Sequence, residues 1–315
     1  MRTIRPASGE CYLGRGRRPR ALAALAVSLL LVAGGCGAAD ATATKGAPVV
    51  RVVTGLWPLA QAAEQIGQGN VRVVDVVPDG QDPRTYALPA SAVATVHRAQ
   101  LVLEADAAFQ PSVARAARGG AARVLAVTGL VRSRSPYVWL DPYAMEAVAR
   151  GIARALERID PAARHTFSAG LQAFVAQLGA LDEDYQSILG DCPRHAIVAV
   201  DGAFRALQPR YPVRVVPVAG AGVAPLQPSA STVAHEAGAI GRAGVRTVYN
   251  EPWEPTSALI PLQARTGVHI GQLDTLAGVP PGGFPRGVKS YYNAMESVLS
   301  TLSGALSCPN PDTNG

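Results

Sequence analysis

Five histidines and four cysteines are the side chains of this chain suited to zinc, and their spacing does not assemble a zinc site. There is no Cys-x-x-Cys pair, no His-x-x-x-His pair and no His-rich loop. His97, His165 and His235 fall within helical patterns, and His195 and His269 open apolar β-type runs. Each reads as a surface residue or a satisfied polar one. Covalent chemistry has no better support. G-x-S-x-G, P-loop and dinucleotide fingerprints are absent, and nothing pairs a nucleophile with a base. Asp141 and the acids of residues 182–184 read as a helix cap and a solvated face. The chain is therefore expected not to be an enzyme.

Charge excludes another class. The formal net charge is +6, but residues 1–35 hold six Arg and one Glu and so carry +5 of it. The remainder is nearly neutral, which argues against a nucleic-acid partner. The leader itself has a basic stretch over Arg15–Arg20, then an apolar run from Ala21 to Val32. That run is shorter than the span of about 20 residues a membrane helix needs. Ala33-Gly34-Gly35-Cys36 follows and resembles a bacterial lipobox, in which cleavage leaves Cys36 to be acylated. An ordinary cleaved signal peptide with an incidental cysteine is the plainer alternative. Residues 37–47 are small and polar, as a tether would be.

Export bears on the cysteines. Cys11 lies in the leader and Cys36 would carry lipid, leaving Cys192 and Cys308. Each stands just outside a regular element. An even pair in an oxidising compartment is expected to form a disulfide, against two buried free thiols.

Alternation organises the rest. Apolar, β-branched runs at Val49–Thr54, Val71–Val77, Leu101–Glu104 and Arg123–Val127 read as strands. Helical patterns between them start at Pro58, Pro89 and Phe109. A long helical stretch follows, Tyr143–Arg158 and then a second helix capped by Asp160-Pro161. Phe167, Leu171, Phe174, Leu178, Leu181, Tyr185 and Leu189 recur every three or four residues, which buries one stripe. The pattern predicts a rigid strut. Strand and helix then alternate again to a closing helix over residues 286–306, with Ala203–Tyr211 read as one of the helices. The expected fold is α/β, with two Rossmann-like α/β lobes joined by one long helix. The expected boundaries are a signal peptide over 1–35, a tether over 36–47, lobes over 48–158 and 192–308, a linking helix over 159–191 and a tail over 309–315.

Two loops point to a family. Val77-Pro78-Asp79-Gly80-Gln81-Asp82-Pro83-Arg84-Thr85-Tyr86 and Tyr137-Val138-Trp139-Leu140-Asp141-Pro142 resemble the signature loops of solute-binding proteins that serve zinc and manganese ABC importers. Asp201-Gly202-Ala203-Phe204, Tyr249-Asn250-Glu251-Pro252, Leu273-Asp274-Thr275-Leu276 and Ser290-Tyr291-Tyr292-Asn293 continue the resemblance in the family's order. It implies a site in the cleft between the lobes, at the carboxyl ends of the strands. Each of the two loops carries a metal-binding histidine in the family, and Arg84 and Tyr137 stand in those places. Asp201 and Asp274 match the other two ligand positions. Glu251 is a possible additional cleft acid, or a helix N-terminal acid in a turn.

Arg84 cannot ligate, being protonated at any relevant pH. One reading has its guanidinium fill the vacated metal position and pair with Asp201 and Asp274. A second turns it away, and Tyr137, Asp201 and Asp274 form an oxygen-only site suited to Mn or Fe rather than Zn. A third leaves a different small ligand, such as an anion held by Arg84. The resemblance implies a monomeric lipoprotein on the outer face of the cytoplasmic membrane that delivers a metal ion to an ABC permease. The rival is a non-transport envelope protein that kept the scaffold as an interaction module.

Overall fold

The computed structural model describes residues 49–133, 135–200, 202–218 and 229–309. The leader, the tether and Cys36 lie outside the described residues, as does Asp201.

The first half runs β1 (Val50–Thr54), α1 (Trp57–Gly67), β2 (Val71–Asp75), α2 (Ala90–His97), β3 (Leu101–Glu104), α3 (Pro111–Arg118) and β4 (Arg123–Ala126). Two helices follow, α4 (Pro142–Ile159) and α5 (Arg164–Gly190). The second half runs β5 (Ala196–Val200), β6 (Arg214–Val218), α6 (Ala230–Ala243), β7 (Thr247–Asn250), α7 (Ile260–Thr266), β8 (His269–Gln272) and α8 (Tyr291–Leu306). Each half makes a four-stranded parallel sheet, in the orders β2-β1-β3-β4 and β6-β5-β7-β8. The orders match, so both sheets reverse direction of growth beside their first strand. Ligands of open α/β sheets sit at such points, beyond the carboxyl ends of the strands.

The long helix is the strut that its stripe predicts. It spans roughly 40 Å at about 1.5 Å per residue. Phe167, Phe174, Leu178, Leu181, Tyr185 and Leu189 are buried along it. Gly170 lets it press on the end of α1, since a Cβ there would sit 2.4 Å from the Ile66 carbonyl oxygen. Farther along, Tyr185 donates to the Met295 carbonyl at 2.8 Å, and Phe174 meets the Tyr291 ring edge-on, so α8 seals the strut's other flank. Cys192 and Cys308 are bonded to each other, tying the end of α8 to the start of the second sheet.

Several boundaries differ from expectation. Asp160 accepts from the Ala162 and Ala163 amides, but residues 161–163 form a 3-10 turn before α5 starts. Ala203–Leu207 is a short 3-10 segment rather than a helix to Tyr211. The closing helix starts at Tyr291, where Ser290 caps it by accepting from the Asn293 amide, and Gly287 at φ 105° ends any earlier helical run. Asp182 is not a solvated acid. It is buried and receives Arg210 at 2.6 Å and the Tyr211 hydroxyl at 2.6 Å. The Arg210 guanidinium also lies 4.2 Å over the Tyr143 ring of α4, so this cluster joins the strut to both lobes.

The lobes are stitched directly as well. The Gly80 amide donates to Val279 at 2.8 Å, and the Trp57 amide to Ala277 at 3.1 Å. Gly80 sits at φ 78° against Pro281, a conformation costly for any side-chain-bearing residue. The Trp139 indole donates to the Thr275 carbonyl at 2.7 Å.

Candidate functional site

Arg84 is delivered by a turn built from its own neighbours. Asp82 Oδ1 accepts the Arg84 amide at 2.9 Å, the Asp82 carbonyl accepts the Tyr86 amide at 2.9 Å, and Pro83 fixes the backbone between them. The same Asp82 carboxylate takes Arg84 Nε through both oxygens, at 2.9 and 3.0 Å. Nη1 donates to the Tyr137 hydroxyl at 3.0 Å. Nη2 reaches across to the second lobe, 3.3 Å from Glu254 Oε1 and 3.9 Å from Glu251 Oε2.

The two glutamates come from one turn after β7. The Glu254 amide donates to the Glu251 carbonyl at 3.1 Å, and Asn250 Nδ2 donates to the Glu254 carbonyl at 2.9 Å. Thr275 donates to Glu251 Oε2 at 3.3 Å. The Glu251 and Glu254 side chains are 3% and 8% exposed, and that of Arg84 17%. Burial works against a charged guanidinium, yet the Glu251 carboxylate and then Asp82 more than offset it and hold Arg84 firmly protonated. Tyr137 closes the apolar side of the site. It is buried, with its ring edge-on to Phe109 at 5.0 Å and to Trp139 at 5.4 Å.

Asp274 stands apart. Its Oδ1 accepts the Leu276 amide at 2.7 Å, a local turn that holds Leu276 at φ 60°. Burial pushes its carboxyl up to about 6, against that amide bond. It lines a cavity of about 350 Å³ with Pro252, Phe284, Val288 and Val298. Among the described residues no cation pairs with it, so the expected Arg84–Asp274 pair is corrected to Arg84 with Asp82, Glu251 and Glu254. The physical reason is reach: Asp82 lies two residues away in the same turn, and the 251–254 turn presents two carboxylates to the far nitrogen. Asp82 and Glu254 were missed by sequence reasoning. The Asp-Pro-Arg spacing carried a signal for the first, whereas Glu254 meets Arg84 only through the lobe junction.

Among the described residues, no three His, Cys, Asp or Glu side chains are grouped so as to hold a metal ion. The cationic centre of the junction is the guanidinium.

The family model described as "Zinc-uptake complex component A periplasmic" matches residues 52–305. The chain belongs to that family. It is 22% identical over 303 residues to the high-affinity zinc uptake system protein ZnuA of Bacillus subtilis, covering 88% of this chain and 94% of that one. It is 25% identical over 199 residues to the metal ABC transporter substrate-binding lipoprotein ScbA of Streptococcus cristatus, covering 56% and 64%. Among solved structures, the periplasmic zinc-binding protein TroA of Treponema pallidum superposes with a TM-score of 0.72 at 22% identity, covering 82% of this chain and 99% of that one. That likeness bears on the fold: paired α/β lobes about a long helix.

Proposed function

We propose that this protein is the extracytoplasmic solute-binding component of a metal-type ABC importer, tethered through Cys36, in which Arg84 serves as a built-in cation between the lobes. The observation that carries this is the reach of one guanidinium from Asp82 and Tyr137 in the first lobe to Glu251 and Glu254 in the second. By resemblance a metal ion spans the lobes at this place in the family. A fixed charge there opposes one. Two unit charges about 4 Å apart at an effective dielectric near 20 repel by about 4 kcal/mol, and a divalent ion by about twice that. Buried carboxylates are costly without a counter-charge, and Arg84 supplies one without cargo. The partner is a membrane permease, and Asp201 and Asp274 keep the acidic character of the remaining family positions.

Zinc titration calorimetry is the test. The unmutated protein is expected to bind zinc far more weakly than the double variant Arg84→His/Tyr137→His, which restores two imidazoles on an intact scaffold. Sub-micromolar zinc binding by the unmutated protein, lost on Asp274→Ala, overturns the built-in cation.

A further inference from the structure

The mouth of the same cleft is furnished for an anion. A cavity of about 690 Å³ opens above Arg84 and Tyr137, with Arg132, Ser133, Ser135 and Arg205 around it. That volume lies in the range of small-molecule sites, about 300–1,000 Å³. Arg132 and Arg205 are exposed, and neither has an ion-pair partner among the described residues. They come from opposite lobes: Arg132 precedes the Tyr137 loop, and Arg205 lies in the 3-10 segment after β5. The serines are turned into donors by their own loop. Ser133 Oγ accepts the Ser135 amide at 3.1 Å, and Ser135 Oγ accepts the Tyr137 amide at 3.3 Å. Each hydroxyl thus has an acceptor lone pair engaged and its hydrogen left to donate. Asp82 and Glu254 are engaged by Arg84, and Asp106 lines an adjoining depression. Asp106 accepts the Ala108 and Phe109 amides at 2.9 and 2.8 Å. Two guanidinium groups and two hydroxyl donors in this lining favour negative charge.

We propose that this cavity binds a small multivalent oxyanion, carboxylate- or phosphate-bearing, held by Arg132 and Arg205 from opposite lobes with Ser133 and Ser135 donating. The proposal rests on reading the inter-lobe cleft as the cargo site, and it names the chemistry of that cargo: an anion, or a metal ion carried within an anionic chelate. Planar guanidinium forks suit such groups, since they bind carboxylate and phosphate in a bidentate way.

Calorimetric titration of the mature protein with citrate and with pyrophosphate, at low and at physiological salt, tests it. Saturable binding of either probe is expected, weakened about tenfold or more by Arg132→Ser and by Arg205→Ser, and weakened by salt. Citrate alone identifies carboxylate as the ligand chemistry, pyrophosphate alone phosphate, and either supports the site. Zinc citrate binding with the same arginine dependence supports the chelate form. No binding of either probe at millimolar concentration, or binding that both arginine variants leave unchanged, overturns the proposal. Both arginines are exposed, so circular dichroism of the variants is expected to match the unmutated protein. The zinc titration of the double histidine variant is independent of these arms, so the two readings fail separately.

Discussion

Arg84 Nη1 lies 3.0 Å from the Tyr137 hydroxyl, so the two residues that the loop resemblance sets in place of histidines are hydrogen-bonded to each other. Neither substitution is isolated. The tyrosine hydroxyl offers the guanidinium a neutral acceptor, and Asp82 orients the arginine from its own turn. The pair works as a unit, and through Arg84 it ties the first lobe to Glu251 and Glu254 of the second.

Removing the charge is expected to expose its worth. Arg84→Met leaves Asp82, Glu251 and Glu254 facing one another with a principal counter-charge gone. Breaking a largely buried pair in this way costs on the order of 3 kcal/mol at neutral pH. Urea unfolding at pH 7.5 measures it, and a variant within about 1 kcal/mol of the parent would contradict the role given to Arg84.

Asp75, at the end of β2, gives a separate pH signature. Burial pushes its carboxyl up to about 7, the Val77 amide opposes this, and Asp79 adds to it. An unfolded aspartate titrates near about 3.9. Between these values the folded state keeps a proton that the unfolded state has released. Its contribution is therefore full below about pH 4 and is lost as pH rises through about 7. Asp75→Asn mimics the neutral form and keeps the acceptor for Val77. It should match the parent in urea midpoint at pH 4 and exceed it at pH 8. An equal difference at both pH values would rule the assignment out.

The Cys192–Cys308 bond closes a sequence separation of 116 residues. Chain-entropy treatments give roughly 4–5 kcal/mol for a loop of that size, as an upper figure. Replacing both cysteines with serine should lower the thermal midpoint by many degrees. Thiol titration of the unreduced, denatured domain starting at residue 45 should find no free thiol, and two would refute the bond.

Cys36→Ala tests the tether. The parent is expected to fractionate with membranes and the variant to appear in the soluble fraction. Unchanged membrane association of the variant would remove Cys36 from the account.

Strands and strut were legible because their signals are local. Val50–Thr54 and Leu101–Glu104 are near-continuous apolar runs, and the α5 stripe repeats every three or four residues. The site was legible only in part. Arg84, Tyr137 and Glu251 were picked out and do meet, but Arg84's carboxylates were misassigned in one case. Asp274 spends an oxygen on the Leu276 amide within its own turn, while Glu254 is brought in by the fold of residues 250–254. The two exposed arginines at the cleft mouth belong to no periodic pattern. Their juxtaposition exists only once the 3-10 segment of the second lobe and the loop before Tyr137 converge, and no local spacing reports that. Asp182 was misjudged for the same reason, since its partners Arg210 and Tyr211 are 28 and 29 residues away.

The Tyr291 hydroxyl donates to the Trp139 carbonyl across 152 residues, and Trp139 in turn donates to Thr275. The junction that frames the cleft is thus completed by a contact with α8, far along the chain from Trp139. Such long-range closure slows folding, because much chain entropy is lost before these contacts form.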